Sequence, residues 1–167
     1  MAFIGIRVPI ECGRLLKQID IEGEKGDTLD LHITLLYFTN ENQVAEISKS
    51  IEIVYDVISN IHPFTVKMEK VSHFPKNQNN QYHIITRVKS PELHALRDAL
   101  VDEFDKHGIQ YNKQHKKYQP HVSLAISDTK PKDFKFYPIE FRVQEIILIG
   151  SEDGNDKIFV TLPLAGL

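Results

Sequence analysis

Apolar positions recur with two different periods along the 167-residue chain, and the switches between them divide it into strands and helices. Ala2 to Val8 alternates as a strand and is closed by Pro9. Ile10 to Ile21 has helical apolar spacing, weakened by Gly13, and the polar loop after it carries Gly23 and Gly26. Leu31 to Phe38 is the next strand. A helix starts at Thr39-Asn40, with Glu41 in the first turn where the dipole favours an acid. Val44, Ile47, Ile51, Val54, Tyr55 and Ile58 form its apolar stripe, and it ends before Pro63. Phe64 to Val71 and Tyr82 to Val88 are strands on either side of the polar turn Pro75 to Gln81. Ser90 caps a further helix, with Pro91 at its first position, Leu93, Leu96, Leu100, Val101 and Phe104 along its stripe, and Gly108 at its close. Gln110 to Gln119 is polar and Tyr118 to Ile126 is a strand. Strands at Ile139 to Ile149 and Lys157 to Leu164, joined by a Ser-Glu-Asp-Gly-Asn turn, finish the chain. Strand, helix, polar loop and strand thus occur in one order at residues 2–38 and again at 82–126, with no sequence likeness beyond a single motif.

That motif is Leu31-His32-Ile33-Thr34-Leu35, echoed by Pro120-His121-Val122-Ser123-Leu124. Side chains alternate across a strand, so His32 and Thr34 share one face, as do His121 and Ser123, while the apolar residues take the other. A lone histidine on a strand is more often a satisfied structural residue than a catalyst. Two of them, far apart in sequence and each beside a hydroxyl, change that balance. Facing one another, they offer a cleft two imidazoles and two hydroxyls: an acid, a base and neutral donors, as a phosphodiester requires.

Composition narrows the field further. Hydrophobic residues make up 41% and charged residues 26%, ordinary for a soluble globular domain. A formal charge of −3 argues against a dedicated binder of long duplex nucleic acid but leaves room for a short nucleotide. Cys12 is the only cysteine, so neither an intrachain disulfide nor a thiolate metal site is available, in keeping with a reducing cytoplasm. The apolar start is interrupted by Arg7 and Pro9, so a signal peptide is not expected, and no run approaches a membrane span.

The paired motifs resemble those of the 2H phosphoesterase superfamily, in particular the LigT-like group of 2'-5' RNA ligases and cyclic phosphodiesterases. FIGIRVP resembles the opening strand of that group, LHITLLYF its first His strand and SPELHALRDALVDEFDKHGI the helix before the second. KYQPHVSLAI is similar to the second His strand, with its preceding proline, and ILIGSEDGNDKIFVTLPL to the final hairpin. Thr39, where glycine is frequent, and Tyr37, where phenylalanine is usual, are mild departures. The resemblance implies an α+β fold in one bilobal domain over residues 1–167, with pseudo-symmetric halves at about 1–74 and 82–167. Two antiparallel sheets, helices outside, would face a central cleft where the His strands meet.

In the chemistry so implied, one neutral imidazole takes a proton from the attacking hydroxyl or water and the other, as imidazolium, protonates the departing oxygen. Thr34 and Ser123 donate to the non-bridging oxygens, worth about 3 kcal/mol each by analogy with other preorganised donors. No cofactor and no metal is called for, and substrate direction decides which histidine is the base. Around this core, the cluster Lys113, His115, Lys116 and Lys117 is a candidate grip for flanking phosphates. Tyr118 and Phe74 are candidates to stack on a base, and Arg7 to reach a phosphate. Cys12 reads as packing, and His62, His73, His83, His94 and His107 as structural or surface residues. The expected activity is metal-independent cleavage, or reverse ligation, of a 2'-5' or cyclic phosphodiester. Its substrate is a small nucleotide, oligoadenylate, cyclic oligonucleotide signal or RNA end; some members of the group antagonise nucleotide-based immune signalling. The alternative is a non-catalytic RNA- or nucleotide-binding module that keeps the cleft. Either protein would be a cytoplasmic monomer without membrane attachment.

Overall fold

The computed structural model describes residues 2–39, 43–114, 117–152 and 155–166. Strands β1 (Phe3–Arg7), β2 (Glu24–Lys25), β3 (His32–Tyr37), β4 (Phe64–His73), β5 (Tyr82–Lys89) and β6 (His121–Ser127) are followed by β7 (Phe134–Val143), β8 (Glu145–Glu152) and β9 (Asn155–Pro163). Helices α1 (Ile10–Lys17), α2 (Gln43–Ile58) and α3 (Pro91–His107) connect them, with a 3₁₀ turn at Thr28–Asp30. Among the described residues no helix is long and apolar enough to cross a membrane.

Local chemistry accounts for most boundaries. Ser90 accepts a hydrogen bond from the Leu93 amide at the start of α3, Pro91 opens the helix, and Gly108 closes it at φ 69°, a left-handed conformation that glycine adopts without a steric penalty. Helix α1 stops at Lys17, short of the expected Ile21, because Gln18 and Ile19 close it with tight bonds to Leu15 and Leu16. That frees Ile19 and Ile21 to turn back onto the core. The expected start of α2 at Thr39-Asn40 and Glu41 falls partly on residues outside those described, and Tyr55, placed on its apolar stripe, is 52% exposed instead.

The expected strand Ile139 to Ile149 is two strands, β7 and β8, broken at Gln144. No glycine or proline marks the break. It arises because Phe64 of β4 pairs with Val143, whereas Gly5 of β1 pairs with Ile147, so the chain must leave one neighbour for the other. Pro138 is tolerated inside β7 because that strand lies at the sheet edge, where the β4 register also slips between Met68 and Lys70. The short β2, read as loop, pairs Glu24 and Lys25 with Ile126 and Ala125.

All pairing is antiparallel, in the order β7-β4-β5-β6-β3-β1-β8-β9, with β2 added against β6. Two half-sheets, β7-β4-β5-β6 and β3-β1-β8-β9, meet along β6 and β3 at one registered pair, Ile33 with Val122. Strand β4 lies in the half-sheet of β5, β6 and β7, and β8 and β9 lie with β1 and β3. Helix α2 packs on α3, β8 and β9, α3 also reaches β3, and α1 lies on β7. One apolar core runs beneath both half-sheets and includes Ile4, Ile33, Leu93, Phe104 and Val122, all fully buried.

Candidate active site

The seam between the half-sheets organises the site. Antiparallel pairing of Ile33 with Val122 sets His32 across from Ser123 and Thr34 across from His121. Opposite residues share a face, so the four polar side chains project together from the face away from the core, where Ile33 and Val122 are fully buried. The two histidines lie diagonally on either side of the Ile33–Val122 pair.

Each imidazole is mounted in the same way. Nδ1 of His32 donates to the carbonyl of Asp30 at 2.6 Å, and Nδ1 of His121 to the carbonyl of Gln119 at 2.7 Å. A carbonyl only accepts, so the proton sits on Nδ1 and Nε2 is left for chemistry. The flanking strands repeat the device. Arg7 of β1 pairs with His32 and Arg87 of β5 pairs with His121. Each register slips just beyond, between Ile4 and Gly5 and between Ile84 and Ile85. The next amides, of Val8 and Val88, donate to the carbonyls before each histidine, Leu31 and Pro120, both at 2.9 Å. The halves therefore share more sequence than the His motif: Ile4-x-x-Arg7-Val8 matches Ile84-x-x-Arg87-Val88. That echo is the signal by which Arg87, absent from the sequence-based site, could have been found.

His32 and His121 differ in surroundings. The His32 ring stacks on Phe3 at 4.4 Å, in a small apolar cluster with Ile147, Ile149 and Tyr37. His121 meets the Phe74 ring edge-on at 4.8 Å and the His83 ring at 6.2 Å. Burial pushes the His121 imidazole below the ordinary 6.5; its Gln119 bond partly offsets this, and His83, Arg87 and His32 add to the lowering. Burial alone pushes His83 down as well.

Thr34 and His121 form part of the wall of a cavity of about 650 Å³. Phe74 and Lys117 line it, and so does Tyr118, whose hydroxyl donates to the Thr34 carbonyl at 3.1 Å and ties the approach of β6 to β3. Burial raises the Tyr118 phenol well above its usual range, with the nearby Arg97 charge acting in the opposite sense. Thr34 Oγ1 donates to the Tyr37 hydroxyl at 3.3 Å. His73 and His83, read from sequence as structural, also face the cavity, as do Arg87 and Arg97.

The other candidates are placed differently. Ser123 is exposed on the common face, and Arg7 is exposed opposite His32; neither lines the cavity. Lys113 is paired with Asp105 at 2.9 Å beside the Tyr111 ring and does not reach the cavity wall. His115 and Lys116 lie outside the described residues. Cys12 packs against the core, and burial, with Glu11 beside it, raises its thiol, the opposite of a reactive thiolate. Among the described residues no group of three or more His, Cys, Asp or Glu side chains is arranged to hold a metal ion.

Comparison with known proteins agrees with this architecture. Residues 22–155 match the family model described as the 2'-5' RNA ligase superfamily. An RNA 2',3'-cyclic phosphodiesterase of Bacillus subtilis (strain 168) is 28% identical over 99 residues, 58% of this chain. That match spans 51% of the relative, about half its length. The crystal structure of TT0787 of Thermus thermophilus superposes with a TM-score of 0.80 at 17% identity, covering 99% of each chain. E. coli LigT complexed with 3'-AMP does so with a TM-score of 0.70 at 16% identity, covering 98% of this chain and 97% of that one. At such identities the two structures establish a shared fold.

Proposed function

The chain belongs to the 2'-5' RNA ligase superfamily, and from that premise we propose that it is a metal-independent phosphodiesterase acting on a nucleotide or RNA end. The observation that carries the reading is the twin mounting of His32 and His121, each with Nδ1 tied to the carbonyl two residues back. In the proposed reaction His121, kept neutral by its surroundings, takes a proton from the attacking water on Nε2. The water oxygen bonds to phosphorus as the opposite P–O bond breaks, and His32, as imidazolium, gives its Nε2 proton to the leaving oxygen. Thr34 and Ser123 donate to the non-bridging oxygens, and Arg7 and Arg87, each opposite a histidine in register, balance the growing charge.

The Bacillus relative carries the name of a 2',3'-cyclic phosphodiesterase, which favours a cyclic phosphate at an RNA end as the substrate. Cleavage or ligation of a 2'-5' linkage uses the same two protons in the same places. A role against nucleotide-based immune signalling follows only if 2'-5' oligoadenylate or a cyclic oligonucleotide is turned over. A panel of 2',3'-cyclic mononucleotides, 2'-5' and 3'-5' oligoadenylates and cyclic di- and trinucleotides, assayed in EDTA with wild type and His32→Ala, tests the reading. Turnover by wild type that the variant loses supports it. Tight binding without turnover selects a nucleotide-binding module instead, and activity that EDTA removes and zinc or manganese restores defeats the metal-free mechanism.

A further inference from the structure

Resting on that reading, we infer that the cavity beside His121 contains a second anion subsite. It is built by Arg97, which lies over the Tyr118 ring, and by Lys117 on the same cavity wall, and takes a phosphate of the substrate other than the one attacked. The protein as a whole carries a formal charge of −3. The cavity wall runs the other way: among the described residues it contains Arg87, Arg97 and Lys117 and no aspartate or glutamate. Fixed like charges gathered in one concave space repel each other, and an anionic ligand relieves that repulsion.

These cations are not equivalent. Arg87 stands opposite His121 in the β5–β6 ladder and is steadied by the Gln119 side-chain oxygen at 2.8 Å, so it belongs with the attacked phosphate. Arg97 comes from α3 and lies over the Tyr118 ring at 5.1 Å, with the His94 ring against the same tyrosine at 5.3 Å. Neither Arg97 nor Lys117 has a carboxylate partner among the described residues, whereas Lys67, Lys89, Lys106 and Lys113 each do. A phosphodiester under attack brings a single negative charge, which leaves Arg97 and Lys117 without a counter-charge. The cavity, at about 650 Å³, is also large for one phosphate and lies within the range of pockets that enclose a nucleotide-sized ligand. A nucleoside whose 5' oxygen carries a further phosphate supplies the missing charge. The preferred substrate is therefore an end of at least two nucleotides, with its body on the His121 side of the seam, rather than a cyclic mononucleotide.

The test uses the intact protein and two probes that differ by one phosphate, adenosine 3'-monophosphate and adenosine 3',5'-bisphosphate, titrated calorimetrically. The bisphosphate should bind at least about tenfold more tightly, and the advantage should shrink with added salt. Arg97→Gln and, separately, Lys117→Gln should each remove most of that ratio, and Arg97→Lys should restore part of it. In parallel, kcat/KM is compared for a cyclic-phosphate-ended dinucleotide and the cyclic mononucleotide. The dinucleotide should be preferred, and Arg97→Gln should lower its kcat/KM by a larger factor than that of the mononucleotide. Equal affinity for the two probes, or an Arg97→Gln variant that weakens both alike, overturns the subsite even if cyclic phosphates are opened. A bisphosphate preference that depends on Arg97, in a protein that opens no cyclic phosphate, overturns the catalytic reading and leaves the subsite standing.

Discussion

His32 and His121 are held by the same backbone device and kept in different company. Each stands opposite an arginine, and each donates through Nδ1 to the carbonyl two residues back. His32 leans on Phe3, a buried residue of β1, whereas His121 sits between the Phe74 and His83 rings on the cavity wall. The mounting is shared, and the surroundings of the two rings are not. Burial and neighbouring charge favour the neutral form of His121, which suits the proton acceptor's part proposed for it.

The comparison breaks most completely if either ring is removed. His32→Ala or His121→Ala should each lower kcat by roughly 10²–10⁴-fold, as loss of a general acid or base does, with the thermal midpoint little changed. A product assay on a cyclic phosphate substrate measures it. If only one of the two substitutions has that effect, a single histidine does the chemistry and the division of roles is wrong.

Next in size is Gly5→Val. A β-carbon at Gly5 would stand 2.6 Å from the Ile33 carbonyl and 3.0 Å from the Phe3 ring, so β3 must shift under His32 and Thr34. Overpacking of this kind costs typically about 1–3 kcal/mol. The thermal midpoint should fall and turnover should drop with it. The equivalent place in the second half is held by Ile85, which pairs with Ser123 and is fully buried, so Ile85→Gly should loosen His121 without any clash.

Smaller effects sharpen the contrast. Tyr118→Phe removes the bond from β6's approach to the Thr34 carbonyl, and a loss of roughly 1 kcal/mol in stability is expected in a denaturant titration. Arg87→Gln removes one of the charges that lower the His121 imidazole. For a base, protonation is inhibitory, so kcat/KM rises with pH through the His121 pKa and its acid limb lies below the ordinary 6.5. Without Arg87 that limb should move up towards 6.5, while burial, the largest cause, keeps it below. A pH–rate profile that stays in place would remove Arg87 from the electrostatics of the site.

Much of this was legible in the chain. The Ser90, Pro91 and Gly108 signals bound α3, and strand alternation set His32 with Thr34 and His121 with Ser123 on common faces. These are properties of neighbouring residues, so neighbouring residues reveal them. The break at Gln144 was not legible, because the competing demands of β4 and β1 come from strands far away in sequence. His83, Arg87 and Arg97 escape a reading of the chain for a related reason: each looks like an ordinary surface residue until β5, β6 and α3 are brought around one cavity.

Residue types and their spacing were enough to say which way each candidate side chain would point from its own strand, since that follows from a two-residue period. Which residues would meet was left to the assembled fold. The pairing of Ile33 with Val122 joins positions 89 residues apart, and neither strand records its partner. That pairing puts the histidines on one face, while β5 and α3 bring His83, Arg87 and Arg97 to the cavity that His121 lines. A local pattern carries orientation; charge, desolvation and proximity belong to the completed sheet.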